Sequence, residues 1–228
     1  MMIEYIYLGD LLDEYILHGI YDDKARDYYW SDDFSTELYI TLAKAGFITV
    51  GLEHEGQDVL LPQIQTHYAL LNHKDLHISS HVQKLLHRQP FTFTINTRFT
   101  EVIDGIKACH ENCWINTSYE TLLHQLYTGD FEDFKLICTE VSDSLTNTLV
   151  AGEIGYLCNN IYTGLTKFSL KEKAYTNWGN LQRVVLTQYL GSQGIHFSNL
   201  GHPQMQYKLD LGAVIYPRKA FLEKCGLI

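Results

Sequence analysis

Three apolar runs, Phe134–Val141, Thr148–Leu157 and Ile161–Phe168, follow one another with only short polar breaks between them. Runs of this length and spacing read as successive strands, and they demand helices or further strands to cover them. The rest of the sequence supplies both. Ile78, Val82, Leu85 and Leu86 form a helical stripe, Phe91–Ile95 alternates as a strand, and Thr100–Ala108 is helical. Ser118 is placed to cap a helix that runs to Tyr127 and is closed by Gly129. Lys171–Leu190 reads as one long helix, with Leu181, Val184, Val185, Gln188 and Tyr189 on neighbouring turns. Ile195-His196-Phe197 is a short strand, Leu211–Tyr216 is apolar, and Pro217 suits the first turn of a last helix ended by Gly226. Helices, a run of strands, then helix and strand again predict an α/β (α+β) layered domain.

The first third reads differently, as short helices and loops. Leu8, Leu11, Leu12, Tyr15 and Ile16 follow a 3.6-residue period with Asp10 as cap, and Ser35 caps a helix carrying Leu38, Leu42 and Ala45 that Gly46 ends. Charge marks a boundary here. Through Asp75 there are 14 acidic and 4 basic residues; from Leu76 onward there are 13 of each, so the whole net charge of −10 sits in the first third. Residues 1–75 are therefore expected to form a small, acidic, mostly helical domain and 76–228 a second domain.

Composition excludes several function classes. With 46% hydrophobic and 19% charged residues, the chain can bury a full core. No apolar run approaches the ~18–20 residues of a membrane span, and the N-terminus lacks the basic-then-apolar pattern of a secretory signal. The cysteine count of 5 is odd and low, so a cytoplasmic protein with reduced thiols is expected. Cys109-His110-x-x-Cys113 has no second ligand pair, and His77 and His81 lack an intervening Glu, so no metal is expected. No Gly-x-Ser-x-Gly elbow and no P-loop string occur.

Specific strings resemble the leucyl/phenylalanyl-tRNA–protein transferases. They are Leu76-His77-Ile78-Ser79, Arg88, Pro90-Phe91, Phe99-x-x-Val102-Ile103-x-Gly105 and Trp114-Ile115, then Leu149-Val150-x-Gly152, Gly155, Gly164 and Phe168-Ser169. The tail Leu211-Gly212-Ala213-x-Ile215-x-Pro217-Arg218-x-x-Phe221-Leu222 completes the set in family order. The resemblance implies a GNAT-like acyltransferase domain with a mostly antiparallel mixed sheet. It implies aminolysis of an ester, in which leucine or phenylalanine moves from the acceptor end of tRNA to the N-terminal Lys or Arg of a peptide or protein. Aminoacyl-tRNA is then a co-substrate and no cofactor is called for; coenzyme A is not indicated, because the glycine pattern of a pyrophosphate loop is missing before the long helix.

Site residues follow from the same likeness. Trp114, Ile115, Phe168 and Ser169 are expected near the acyl group, with ordinary core packing as the plainer alternative for Trp114 and Phe168. Ser198-Asn199-Leu200 stands where the family has an Asp-x-Gln pair, Leu165 where it has a Glu, Phe47-Ile48-Thr49 where it has Phe-Pro-Trp, and His67-Tyr68 where it has Pro-Arg. Ser198 and Asn199 are candidates to donate to an oxyanion or hold an amine; the plainer reading makes them exposed polar residues at a strand end. His196 and His202 flank them as candidate bases.

Two basic segments offer contacts to tRNA. Leu76–Arg98 holds Lys84, Arg88 and Arg98 with no acidic residue, and Tyr162–Lys224, which includes Lys167, Lys171 and Lys173, has eight basic residues against three acidic ones. Such contacts would weaken as salt rises. The three lysines also fit a plain solvated face. Three functions remain open: the family's transfer, an acyltransferase of the same fold with another donor, and a non-catalytic tRNA- or peptide-binding module.

Overall fold

The computed structural model describes residues 3–228. In chain order the elements begin with β1 (Glu4–Tyr5), α1 (Leu8–Leu12), α2 (Glu14–Asp22), β2 (Tyr29–Trp30), α3 (Thr36–Lys44), β3 (Ile48–His54), β4 (Gln57–Gln63) and β5 (His67–Asn72). They continue with α4 (Ser80–Arg88), β6 (Phe91–Ile95), α5 (Phe99–Cys109), α6 (Thr117–Thr128), β7 (Phe134–Asp143), β8 (Leu149–Cys158) and β9 (Ile161–Ser169). The last are α7 (Trp178–Ser192), β10 (Phe197–Asn199), α8 (Gln206–Asp210), β11 (Val214–Pro217) and α9 (Arg218–Lys224).

These elements cluster into two compact units. One gathers the chain up to Tyr68, Trp114–Lys135 and Ile215–Ile228; the other gathers Ala69–Cys113 and Leu136–Val214. Each unit is assembled from separate stretches, whereas the charge boundary after Asp75 is a single cut along the chain.

The first unit carries the acidic helices. Asp13 caps α2 by accepting from the backbone N–H of Tyr15 and Ile16, and Ser35 caps α3 by accepting from that of Leu38. The stripe from Leu8 to Ile16 is thus two short helices, broken at Asp13, and not one. The unit also holds a β-hairpin that a reading of short helices and loops does not foresee. β3 and β4 pair antiparallel from Ile48↔Gln63 to His54↔Gln57, joined by Glu55 and Gly56, both at positive φ (52° and 79°). Two successive left-handed residues are what a tight hairpin turn needs. Leu38, Tyr39, Leu42, Phe47, Leu60 and Ile64, all at most 1% exposed, belong to the core of this unit. Tyr39 and Tyr119 share a buried hydroxyl contact of 2.9 Å, and the Tyr119 hydroxyl donates to the Thr49 carbonyl at 2.7 Å.

A seven-stranded sheet runs in the order β11-β5-β10-β9-β8-β7-β6. β6/β7, β8/β9 and β5/β10 are antiparallel and β9/β10 is parallel, so the sheet is mixed and mostly antiparallel, as expected. Successive residues of β8 face opposite sides. A Cβ on Gly152 would press on Phe168 and on Val102 of α5, while Glu153 reaches Arg183 of α7. α5 and α7 therefore cover opposite faces. Trp178, Leu181, Val184 and Val185 of α7 pack with Val82 of α4, Val141 and Ala151. The helix starts at Trp178, not Lys171, because Asn177 takes a left-handed conformation (φ 70°) after a 3-10 turn at Lys173–Tyr175. Among the described residues no helix is long and apolar enough to cross a membrane.

α5 has no cap from its own sequence. Buried Glu140 of β7 supplies one instead, accepting from the backbone N–H of Thr97 (3.1 Å) and Arg98 (3.2 Å) and from the hydroxyls of Thr94 (2.6 Å) and Thr97 (3.1 Å). A carboxylate facing a helix N-terminus is favourable, and its loss leaves buried donors unpaired. Glu140→Ala is expected to lower unfolding free energy by about 2–4 kcal/mol in a urea titration. A midpoint unchanged from wild type would remove this role from Glu140.

Candidate functional site

The second unit concentrates its buried polar groups where β8, β9 and β10 meet α7. β10 lies between β5 and β9, with Ser198 opposite Leu71 on one side and Tyr162 on the other. A central strand is covered on both faces, so Ser198 (1%) and Asn199 (2%) are buried and not exposed at a strand end. The Ser198 Oγ is 2.8 Å from His73 Nε2, and Asn199 Oδ1 accepts from the Gly201 backbone N–H at 2.9 Å. Asn199 thus shapes the turn after β10, and Ser198 has a histidine partner from a segment 125 residues away. Burial lowers the His73 pKa, the neighbouring Ile195 carbonyl opposes this, and His196 and Arg183 add to the fall. His73 is therefore neutral at pH 7.

Two strands further, on β8, Glu153 forms a buried ion pair with Arg183 of α7, Nη2 to Oε2 at 2.6 Å, with both side chains almost closed to solvent. The Tyr162 hydroxyl donates to Glu153 Oε1 at 2.9 Å. Burial and then Glu153 raise the Tyr162 pKa, so it remains a neutral donor. Gly164 lies directly against the pair. A Cβ there would sit 2.7 Å from Glu153 Oε1 and 3.3 Å from Arg183 Nη2, so a side chain would strike both. Next to Arg183, buried Gln182 donates to Thr139 Oγ1 at 2.7 Å.

Two lysines complete the cluster. Lys167 Nζ stands 4.8 Å over the Tyr207 ring. Lys208 is buried and donates to the carbonyls of Leu200 and, at 2.7 Å, His202, tying down the loop after β10. Burial, and after it Arg183, pushes each lysine down to about 8. Glu153 pulls Lys167 the other way, while Lys208 adds to its fall.

The residues expected from sequence are dispersed. Ser198 and Asn199 belong to this cluster and Lys167 joins it from β9. Phe168, expected near an acyl group, is 5% exposed and fills the space over Gly105 and Gly152 as core. Ser169 lies against Gly179 at the start of α7. Trp114 and Ile115 belong to the first unit, where Trp114 meets Tyr119 edge-on at 4.9 Å and Ile115 is 4% exposed. His196 and His202 are exposed, and each turns its carbonyl inward to receive a donor from His73 and Lys208. Of the other basic candidates, Lys84, Arg88, Lys171 and Lys173 are exposed. Arg98 is committed to Glu101 and to Ser142 Oγ at 2.8 Å.

Sequence reasoning missed His73, Glu153, Arg183, Tyr162 and Tyr207. One signal was present. Gln182 and Arg183 interrupt an otherwise apolar stretch, Leu181 to Leu186, on a helix that packs against the sheet, and polar residues there need buried partners.

The family described as "Leucyl/phenylalanyl-tRNA protein transferase" matches residues 70–226. A leucyl/phenylalanyl-tRNA–protein transferase of Pseudoalteromonas translucida is 30% identical over 158 residues, 66% of this chain and 60% of that protein. One of Klebsiella pneumoniae subsp. pneumoniae is 28% identical over 164 residues, 70% of this chain and 64% of that protein. The chain thus spans 60–64% of the length of these relatives. Among solved structures, a GCN5-related N-acetyltransferase from Kribbella flavida superposes with a TM-score of 0.43 at 10% identity, covering 91% of this chain and 71% of that one. L-PGS from Bacillus licheniformis gives 0.42 at 13% identity, covering 68% and 46%.

Proposed function

Because the chain belongs to the leucyl/phenylalanyl-tRNA protein transferase family, we propose that it transfers an aminoacyl group from tRNA to the N-terminal amine of a Lys- or Arg-initiated peptide or protein. The family match across residues 70–226 is the observation that carries this reading. The reaction joins amine nitrogen to ester carbonyl, expels the tRNA 3′ oxygen and moves a proton from the amine. Ser198 and His73 are suited to that proton. Their 2.8 Å contact is a proton-transfer distance, and neutral His73 has a vacant ring nitrogen to accept it. In this reading His73 acts through Ser198, and Asn199 holds the turn that keeps Ser198 in place. Exposed Lys84, Arg88, Lys171 and Lys173 contact tRNA phosphates. No cofactor is required.

The buried ion pair beside Gly164 favours a second reading, in which the same transfer moves an acyl group other than leucine or phenylalanine. The test incubates the folded chain with leucyl-tRNA, phenylalanyl-tRNA and a set of other aminoacyl-tRNAs, with an Arg-initiated peptide as acceptor. Product from the first two supports the family's donors, and product from others alone supports the second reading. Binding of tRNA or peptide with no product from any donor would leave a binding module in place of an enzyme.

A further inference from the structure

We propose that Arg183, Lys167, Lys208 and Tyr207 form a binding site for an oxyanion, a carboxylate or phosphate group of a ligand, built around Glu153 and Gly164. The inference goes beyond the transfer reading and does not rest on it, since binding is measurable without tRNA or turnover.

Charge is the first argument. Arg183 pairs with one carboxylate, Glu153, and two further cations, Lys167 and Lys208, stand close enough to Arg183 to feel its charge, in a region where Arg183 is 5% and Lys208 6% exposed. Among the described residues no second acidic side chain pairs with either lysine of the cluster. Burying uncompensated positive charge is costly unless an anion joins it.

Unused donors are the second argument. Glu153 engages only Nη2 of Arg183, and the Arg183 Nε and Nη1 are buried without a partner. A buried guanidinium with two idle nitrogens is rare. Internal water would satisfy those donors but would leave the excess charge in place. An oxyanion does both, and charge-assisted bonds to Arg are among the stronger kinds.

Access is the third. Gly164 adds no side chain against the guanidinium, and Lys167 is only partly buried, held over the Tyr207 ring and not in an ion pair. Burial first, and after it the Arg183 charge, lowers both lysine pKa values, and an anion bound among them would oppose that fall.

The experiment follows thermal unfolding of the full chain at pH 7, with sodium phosphate and sodium acetate as probes and sodium chloride at equal ionic strength as baseline. A ligand that binds only the folded state raises the melting temperature in a saturable way. A rise with phosphate alone assigns the site to phosphate groups, a rise with acetate alone to carboxylates, and a rise with both to oxyanions in general. Lys167→Met should weaken the apparent affinity at least about tenfold, the loss of one charge-assisted contact. Glu153→Gln should tighten it, since Arg183 then lacks its internal counter-ion. No rise beyond chloride with either probe overturns the proposal. So does a rise that is unchanged in both variants, which would place the anion elsewhere.

Discussion

Arg218→Met is expected to lower the unfolding free energy by about 3–5 kcal/mol, the scale for breaking a buried charged network. Arg218 is 5% exposed at the start of α9 and serves as a hub for the first unit. Its Nε donates to the Gln65 carbonyl at 3.1 Å, and Nη1 to the carbonyls of Ile20 (3.3 Å), Tyr21 (3.3 Å) and Asp23 (2.6 Å). Its Nη2 serves the carbonyls of Ile64 (2.7 Å) and Arg26 (3.3 Å) and the Asp27 carboxylate (3.0 Å). Most of these acceptors are irregular backbone with no other donor from secondary structure, so methionine leaves them unpaired. Arg218→Lys should recover less than half of the loss, because an ammonium has three donors and no planar fork. Urea unfolding of the three proteins measures this. A methionine variant within about 0.5 kcal/mol of wild type, the range of ordinary surface substitutions, would show that the hub is dispensable.

His73→Gln is expected to cut the transfer rate by at least about 10²-fold, the lower end for general acid–base catalysis. The pH profile separates this from damage to packing. The His73 pKa lies below its ordinary value, and only the neutral ring accepts a proton. Wild-type rate should therefore rise as pH climbs through a value below about 6.5 and then level off. The variant should lose that acidic limb along with the rate. Glutamine retains hydrogen-bonding capacity toward Ser198, so a purely structural histidine would be largely replaced. A residual rate that keeps the wild-type limb would move the proton acceptor to another residue. Ser198→Ala should mimic the histidine variant if the two act as a relay.

Legibility in the sequence followed locality. The strands of the sheet and the cap at Ser35 were readable because apolar period and cap chemistry are written in a few adjacent residues. The β3–β4 hairpin was not readable, and two residues explain why. Gly51 lies mid-strand because the Trp114 carbonyl packs where a Cβ would go. Pro62 lies in β4, whose continuous ladder is with β3 and whose other edge makes isolated bridges at Leu60 and Gln63, so it can spare the missing N–H. Each looks like a strand breaker until its surroundings are known. The α6 cap shows a smaller ambiguity: Asn116, Thr117 and Ser118 are all competent, and Asn116 takes the role with Oδ1 2.9 Å from the Tyr119 N–H. The site was least legible, because His73 with Ser198 and Glu153 with Arg183 are joined only by the sheet and by α7. Ser198 and Asn199 were nameable only by likeness to a family.

The divided make-up of the first unit sets a timetable for synthesis on the ribosome. Residues up to Tyr68 emerge early, yet the side chain that gathers their loops belongs to Arg218, which reaches Asp27 across 191 positions of sequence. The second unit has all its pieces once Val214 is out. The nascent chain must therefore hold its earliest helices unfinished while the later-made unit completes itself. Contacts of such long separation form slowly, which exposes the intermediate to aggregation and to chaperones. Helix α9, which begins at Arg218, thus serves as the closing stitch of the part of the protein that was made first.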